Sequence, residues 1–329
     1  MKHASLFLVF SLTIELLLIG CRKNESPSHE PDVYISGHET VGARSIATVW
    51  KNGIKTSLTK GLTTSIATGV FVSGPDVYVC GYEESAAGLF ARVWKNGTLM
   101  SLTDARSAFI NSIYVSGNDV YVCGGRDGSA IIWKNGVATS LAPGGEELNS
   151  IYISGNDVYV CGFEFNSSVT RIAKCWKNGI ATVLSDGTKD EIAEDIYVVG
   201  SNVYVCGIEF NGLKIVAKVW KNGVASNLTT IAQGSYATGI WTSGDDIYVS
   251  GYDRDRFIAS IWKNGLASNL TPNATNSSAT GICVSGADVY VCGYDDERGI
   301  REAKVWKNGI ATALTDGTSR SEATAIFVK

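Results

Sequence analysis

Histidine is nearly missing from this chain, with three in 329 residues, of which only His29 and His38 lie beyond the first ten positions. A Ser-His-Asp triad or a multi-histidine metal centre is therefore not expected as the basis of function. An excess of positive charge is missing too: 28 Lys and Arg stand against 32 Asp and Glu, for a net charge of −4. Without a basic stripe the chain lacks the electrostatic attraction that dominates nucleic-acid binding. No Gly-rich phosphate loop opens a helix, because no stretch reads as helical. Beyond the N-terminus, no apolar run reaches the roughly 20 residues that a membrane-spanning helix needs.

What is present begins with Lys2, an apolar run from Leu6 to Ile19, and Leu18-Ile19-Gly20-Cys21. A positive start and an apolar stretch of about 15 residues predict an export signal over 1–20. Gly20-Cys21 resembles the cleavage site of bacterial lipoproteins, and the resemblance implies that Cys21 is acylated. Acyl chains bind a bilayer by about 0.8 kcal/mol per buried methylene, so the expected address is the bacterial envelope, anchored by lipid alone. Arg22, where Asp would retain a lipoprotein at the inner membrane, leaves the outer membrane as the expected location. Residues 21–30 then read as a lipidated Cys and polar tether, and 31–329 as the folded body.

A fixed repeat decides the fold class of that body. Trp-Lys-Asn-Gly begins at Trp50, Trp94, Trp133, Trp176, Trp220, Trp262 and Trp306, and a second word, Val-Tyr-x-x-Gly or its Ile variant, begins at Val33, Val77, Val120, Val158, Val203, Ile247 and Val289. Residues 68–103 show one unit: apolar Thr68–Ser73, a Gly-Pro turn, apolar Asp76–Tyr82, a polar loop, Phe90–Trp94, an Asn-Gly turn and Thr98–Thr103. Asn-Gly supplies the positive φ angles of a two-residue hairpin, so each unit reads as four short antiparallel strands. Runs such as Val77-Tyr78-Val79-Cys80 are apolar at consecutive positions, which requires burial on both faces. A ring of blades meets that demand. The expected fold is all-β, a seven-bladed β-propeller, closed by a C-terminal strand (324–329) joining the N-terminal strands (32–59).

Val120-Tyr121-Val122-Cys123-Gly124-Gly125 is similar to the second strand of kelch repeats, and the architecture resembles kelch and WD-repeat propellers. The whole of 31–329 more closely resembles bacterial envelope lipoproteins built from Trp-Lys-Asn-Gly repeats, a resemblance that implies a fold and no activity.

The repeat tryptophans are expected to pack between blades rather than stack on sugars, and Trp241 is expected in the core. Cys80, Cys123, Cys161, Cys206 and Cys292, at one repeat position, read as small buried core thiols. Bridges between Cys283 and Cys292 or between Cys161 and Cys175 are not expected, since those pairs read as diagonal across their hairpins. Glu39, Glu83, Glu164, Glu209, Asp253 and Asp295 recur two positions past the second-strand Gly, predicting solvated loop starts that pair with Arg92, Lys174, Lys218 and Lys304. Asp32, Asp76, Asp119, Asp157, Asp246 and Asp288 read as turn residues on the other face.

Loops joining first to second and third to fourth strands barely vary, whereas those joining second to third and fourth to first vary in length and charge. Binding residues favour loops on a rigid scaffold, so the variable face is the candidate binding face. Its charges are densest at Glu194, Asp195, Asp253, Arg254, Asp255, Arg256, Asp295, Asp296, Glu297, Arg298 and Arg301. The expected function is a non-catalytic binding or scaffold module holding a protein or glycan, as a monomer with no cofactor and no metal. The alternative is a carbohydrate hydrolase or lyase using carboxylates without His, whose sign would be paired acids at the channel mouth.

Overall fold

The computed structural model describes residues 30–329 apart from 103–105, 143–144, 230–233, 275 and 298. The export signal, Cys21 and Arg298 lie outside the described residues. Pro31–Lys329 forms one compact unit.

Seven four-stranded antiparallel sheets make up this unit, and the ring is a seven-bladed β-propeller. Blade one joins the two ends of the chain: its first strand is Ser321–Val328, followed by Val33–Val41, Arg44–Lys51 and Ile54–Ser57. Val33 pairs with Val328 and Glu39 with Ser321, and Asp32 and Lys329 exchange backbone hydrogen bonds of 2.8 and 2.9 Å. The first strands of blades two to seven are Thr64–Ser73, Ala108–Ser116, Glu146–Ser154, Asp190–Val199, Ser235–Ser243 and Ser278–Ser285. Each is longer at its start than the apolar pattern predicts. The closing strand begins at Ser321 rather than 324, because a β-bulge at Thr324 interrupts the register without ending the pairing.

The repeated words have separate structural duties. Asn52 (φ 50°) and Gly53 (φ 79°) make the tight hairpin turn that their types predict. The Asn52 side chain also accepts the N–H of Val33 at 2.8 Å and donates to Asp32 at 2.7 Å, while Lys51 pairs with Asp32 at 2.8 Å. Every blade repeats the Asn-to-backbone bond. The aspartates expected as simple turn residues thus clamp one hairpin of a blade to the next. The seven tryptophans are at most 3% exposed. They pack between blades: Trp220 of blade five sits among Tyr159, Cys161 and Ala173 of blade four and donates to the Leu184 carbonyl at 2.9 Å.

The five repeat-position cysteines are fully buried free thiols. Cys161 and Cys175 correct the expected geometry: they are direct register partners, not diagonal neighbours, and both are free. Of the register acids, Glu83 pairs with Arg92 at 2.9 Å, Glu164 with Lys174, Glu209 with Lys218 at 2.5 Å and Asp295 with Lys304 at 3.6 Å. Burial separates the Glu209 and Asp295 pairs from a solvated rim, because Lys218 and Lys304 are 8% and 7% exposed and Asp295 only 2%, whereas Glu83 and Glu164 stay partly exposed.

Candidate functional site

The first strands of all seven blades enclose a central cavity of about 400 Å³. Every first strand carries one bulge, which leaves a single residue without a register partner: Thr68, Asn111, Asn149, Glu194, Thr238, Thr280 and Thr324. A bulge turns its extra side chain out of the pleat, and here that side chain crosses to the neighbouring blade. Thr68 donates to the Ile110 carbonyl at 2.6 Å, Asn111 to Leu148 at 2.9 Å and Asn149 to Ala193 at 2.9 Å. Thr238 donates to Ala279 at 2.7 Å, Thr280 to Ala323 at 2.9 Å and Thr324 to Ala67 at 2.8 Å. The result is a circle of bonds from side chain to neighbouring-blade carbonyl, and one station departs from it. Glu194 is a carboxyl where the other six are donors.

Glu194 instead accepts the Tyr236 phenol of blade six at 2.5 Å, with Asn149 at 3.5 Å from its other oxygen. Burial raises its pKa, the Tyr236 bond opposes that, and neighbouring Glu147 and Asp195 reinforce it. Glu147, on the adjoining first strand, is also raised by burial. The nearest cation, Arg171, is held by both oxygens of Asp190, with Nε at 3.0 Å from each, and lies 5.8 Å from the centre of the Phe163 ring.

Asp195 occupies a station that is Gly69, Ser112, Ser150, Gly239, Gly281 or Ala325 in the other blades. Its carboxylate accepts Ser150 Oγ of blade four at 2.6 Å, its neighbour Ile196 N–H at 2.9 Å and Ile240 N–H of blade six at 2.9 Å. Burial pushes its carboxyl up to about 6 against the pull of these three donors. Asp195 is accordingly a clip across three blades, with both carboxylate oxygens engaged.

Toward the repetitive face the channel is ringed by an aromatic collar. Phe327, Phe71, Tyr114, Tyr152, Tyr197 and Trp241 contact each other in turn, with ring centres 4.6–5.1 Å apart, and buried Cys283 holds the equivalent strand position in blade seven. Trp241 corrects its expected place in the core: it is half-buried in the channel wall.

The predicted binding residues therefore divide. Glu194 and Asp195 lie in the channel wall rather than on loops. Of the others apart from Arg298, Asp253 and Asp295 end the second strands of blades six and seven and the rest lie on the loops that follow, where several hold those loops together. Asp253 accepts the N–H groups of Asp255 and Arg256 and pairs with the Arg256 side chain at 2.5 Å. Asp255 accepts Gly234 N–H at 3.0 Å and pairs with Lys214 at 2.5 Å. Arg254 is exposed and its N–H donates to Gly234. Asp295 accepts Glu297 N–H, and Asp296 accepts Asn276 N–H at 2.8 Å. Arg301 pairs with Glu322 of blade one at 2.5 Å and stacks 4.1 Å from the Tyr294 ring centre. Sequence reasoning missed Tyr236, Glu147 and Arg171; aligning the units on the bulge, which breaks the alternation, would have set Glu194 beside six donors. Among the described residues no group of three or more His, Cys, Asp or Glu side chains is arranged to hold a metal ion.

A closed ring of seven four-stranded blades around a central channel defines the class: a β-propeller. No family model matches the chain, and no curated protein matches it in sequence. Among solved structures it is similar to a puromycin-hydrolyzing peptidase of Mycobacterium tuberculosis, with a TM-score of 0.56 at 11% identity, covering 85% of this chain and 53% of that one. It is also similar to the β-propeller domain of the Trilobed protease from Pyrococcus furiosus, which has an open velcro topology, with a TM-score of 0.54 at 13% identity, covering 88% and 96%. The chain spans about half the length of the mycobacterial peptidase. At these identities the likeness is one of fold.

Proposed function

We propose that this protein is a lipid-anchored binding module of the bacterial envelope, attached through Cys21 at the outer membrane, that holds a glycan at the variable-face mouth of its channel. The carrying observation is the break at Glu194. In a ring whose units repeat closely, the one station that replaces the donated bond to the next blade's carbonyl with a carboxyl of raised pKa, bonded to a side chain instead, is where the local rule has been broken. Around it the mouth adds what saccharides require, aromatic faces beside a few fixed polar groups: Tyr236 and Tyr252 stack at 5.4 Å, and Glu147 and Arg171 stand nearby.

The test is a glycan and envelope-protein binding screen with the full chain and Glu194→Gln, together with labelled-palmitate incorporation in Cys21→Ser. Saturable glycan binding that weakens in Glu194→Gln supports the module, and its absence alongside binding to an envelope protein moves the ligand class. A carboxylate-dependent carbohydrate hydrolase or lyase is the second reading. It is favoured by Glu147 and Glu194, two acids of raised pKa on adjoining first strands. Turnover of a bound oligosaccharide, abolished by Glu194→Gln, would replace the binding module with this reading.

A further inference from the structure

In four blades the repeat-position cysteine faces Val or Ile across the third strand, as Cys80 faces Val93 and Cys206 faces Val219. Blade four alone sets a second cysteine there, with Cys175 directly opposite Cys161. The register around the pair is unbroken from Tyr159 opposite Lys177 to Phe165 opposite Arg171. Backbone hydrogen bonds fix which kind of pair this is. Asn178 N–H donates to the Val158 carbonyl at 2.8 Å and Asn166 N–H to the Thr170 carbonyl at 3.0 Å, so Val158 with Asn178 and Asn166 with Thr170 are bonded pairs. Bonded and unbonded pairs alternate along an antiparallel ladder, and Cys161 with Cys175 stands an odd number of steps from both. It is therefore an unbonded pair, the kind in which opposed Cα atoms come closest, about 4.5 Å apart, with both side chains on one face. That separation lies within the span of a disulfide. The two side chains also meet the same apolar cluster between blades four and five, in which Cys161 is fully buried and Cys175 is partly buried.

We propose that Cys161 and Cys175 are a redox-modified pair, which exchange with a disulfide oxidant joins into a bridge stapling the second and third strands of blade four. This inference does not rest on the glycan-binding reading. Cys175 is the point of entry, because it is the partly exposed member of the pair. Its thiolate attacks one sulfur of the oxidant, which forms a mixed disulfide and releases the first thiol. Cys161 then gives up its proton and attacks the Cys175 sulfur, and the other half of the oxidant leaves as the second thiol. Two protein thiols are oxidised, one disulfide is reduced, and the two protons end on the released thiols. Burial raises the Cys175 pKa and a hydrogen bond with Thr182 opposes it, so the exchange is slow at neutral pH and quickens as pH rises.

The experiment is exposure of the full chain to oxidised glutathione at mildly alkaline pH, followed by acid quenching, denaturation, alkylation with N-ethylmaleimide and tryptic mapping without reductant. Cleavage after Arg171 and Lys174 separates the two cysteines in sequence, so the bridge should leave the Cys175 peptide attached to the Cys161 peptide. Cys80, Cys206 and Cys292, which face valine, should all be alkylated. Cys175→Val places in blade four the residue that stands at this position in blades two, five and seven, and it should melt with the reduced, unaltered chain. The oxidised, unaltered chain should melt on the order of 5 °C higher, the gain expected for closing so short a loop in a domain of this size, and dithiothreitol should remove that gain. Recovery of both cysteines alkylated overturns the bridge, and so does Cys175 carrying glutathione while Cys161 is alkylated. A bridged chain that melts no higher than Cys175→Val overturns the staple.

Discussion

Asp195 of blade five accepts the backbone N–H of Ile240 in blade six at 2.9 Å while its other oxygen accepts the Ser150 hydroxyl of blade four at 2.6 Å. One carboxylate thus ties three consecutive blades at a station where the rest of the ring carries glycine, serine or alanine. Asp195→Ala leaves the Ile240 and Ser150 donors without their carboxylate, and the loss of charged hydrogen bonds of this kind costs about 1.5–3 kcal/mol. Asp195→Asn should fall between the two, since an amide keeps one acceptor oxygen but turns a donor toward one of the N–H groups. Urea denaturation checks both, and a midpoint unchanged in Asp195→Ala would show that the clip contributes nothing.

The seam that closes the ring should be sensitive to acid. Glu322, on the closing strand, takes Arg301 of blade seven at 2.5 Å and Arg320 at 3.0 Å. Burial alone would raise its pKa, but the two arginines and His38 together hold it below the usual carboxylate range. A carboxyl depressed in the folded state stabilises the fold above its unfolded pKa, near 4.5, and that contribution disappears as pH falls through the lower folded value. The stability difference between the unaltered chain and Glu322→Gln should therefore be constant at neutral pH and shrink below about pH 4.5. A difference that grows toward low pH would reverse the sign of this linkage.

Each second strand carries a glycine opposite the bulge, and it is there for closeness rather than for backbone freedom. A Cβ on Gly207 would lie 2.0 Å from the Ile192 carbonyl oxygen, with the same clash at Gly81, where the Ile66 oxygen is 2.0 Å away. The obstructing atom is backbone in a paired strand and cannot swing aside. Gly207→Ala should cost about 3 kcal/mol, at the upper end for overpacking, and should open the fifth-blade bulge. Amide exchange read at Asp195 and Cys206 would report it, and unchanged protection would mean that the carbonyl can move.

The blade count, the closure and the packing of the tryptophans were legible in the chain because each follows from a repeated local signal. Asn52-Gly53 needs only its own φ preferences to make a hairpin, and Trp50 sits in a run apolar at consecutive positions. The channel was not legible for the opposite reason. The bulge at Thr68, and its equivalents, adds one residue out of phase, so the stretch Thr64–Ala67 before it reads as a loop although it is strand. Glu194 and Asp195 were picked out as charges, but charge alone assigned them to the variable loops with Asp253 and Arg256. Their meaning depends on which neighbours' carbonyls and N–H groups they meet, and that is a contact between blades roughly 45 residues apart. Cys161 and Cys175 make the same point: a one-residue register difference decides whether two side chains are opposed or diagonal.

If the circle of bulge side chains holds the ring together, its seven stations should respond to substitution according to whether a donor is removed or supplied. Thr280→Val keeps the shape of the side chain and deletes the hydroxyl that reaches the Ala323 carbonyl at 2.9 Å, leaving an acceptor in the channel wall without its partner. The expected cost is about 1 kcal/mol. Glu194→Gln does the reverse, adding an amide donor beside the Ala237 carbonyl and removing a carboxyl whose pKa burial raises, so it should be neutral or stabilise by up to about 1 kcal/mol. The two together should add, because the stations lie two blades apart and share no partner. Thermal unfolding of the four chains tests this. A Glu194→Gln chain that melts well below the unaltered one would mean that the carboxyl is itself a structural link, and the break in the circle would no longer mark a place where stability has been given up for binding.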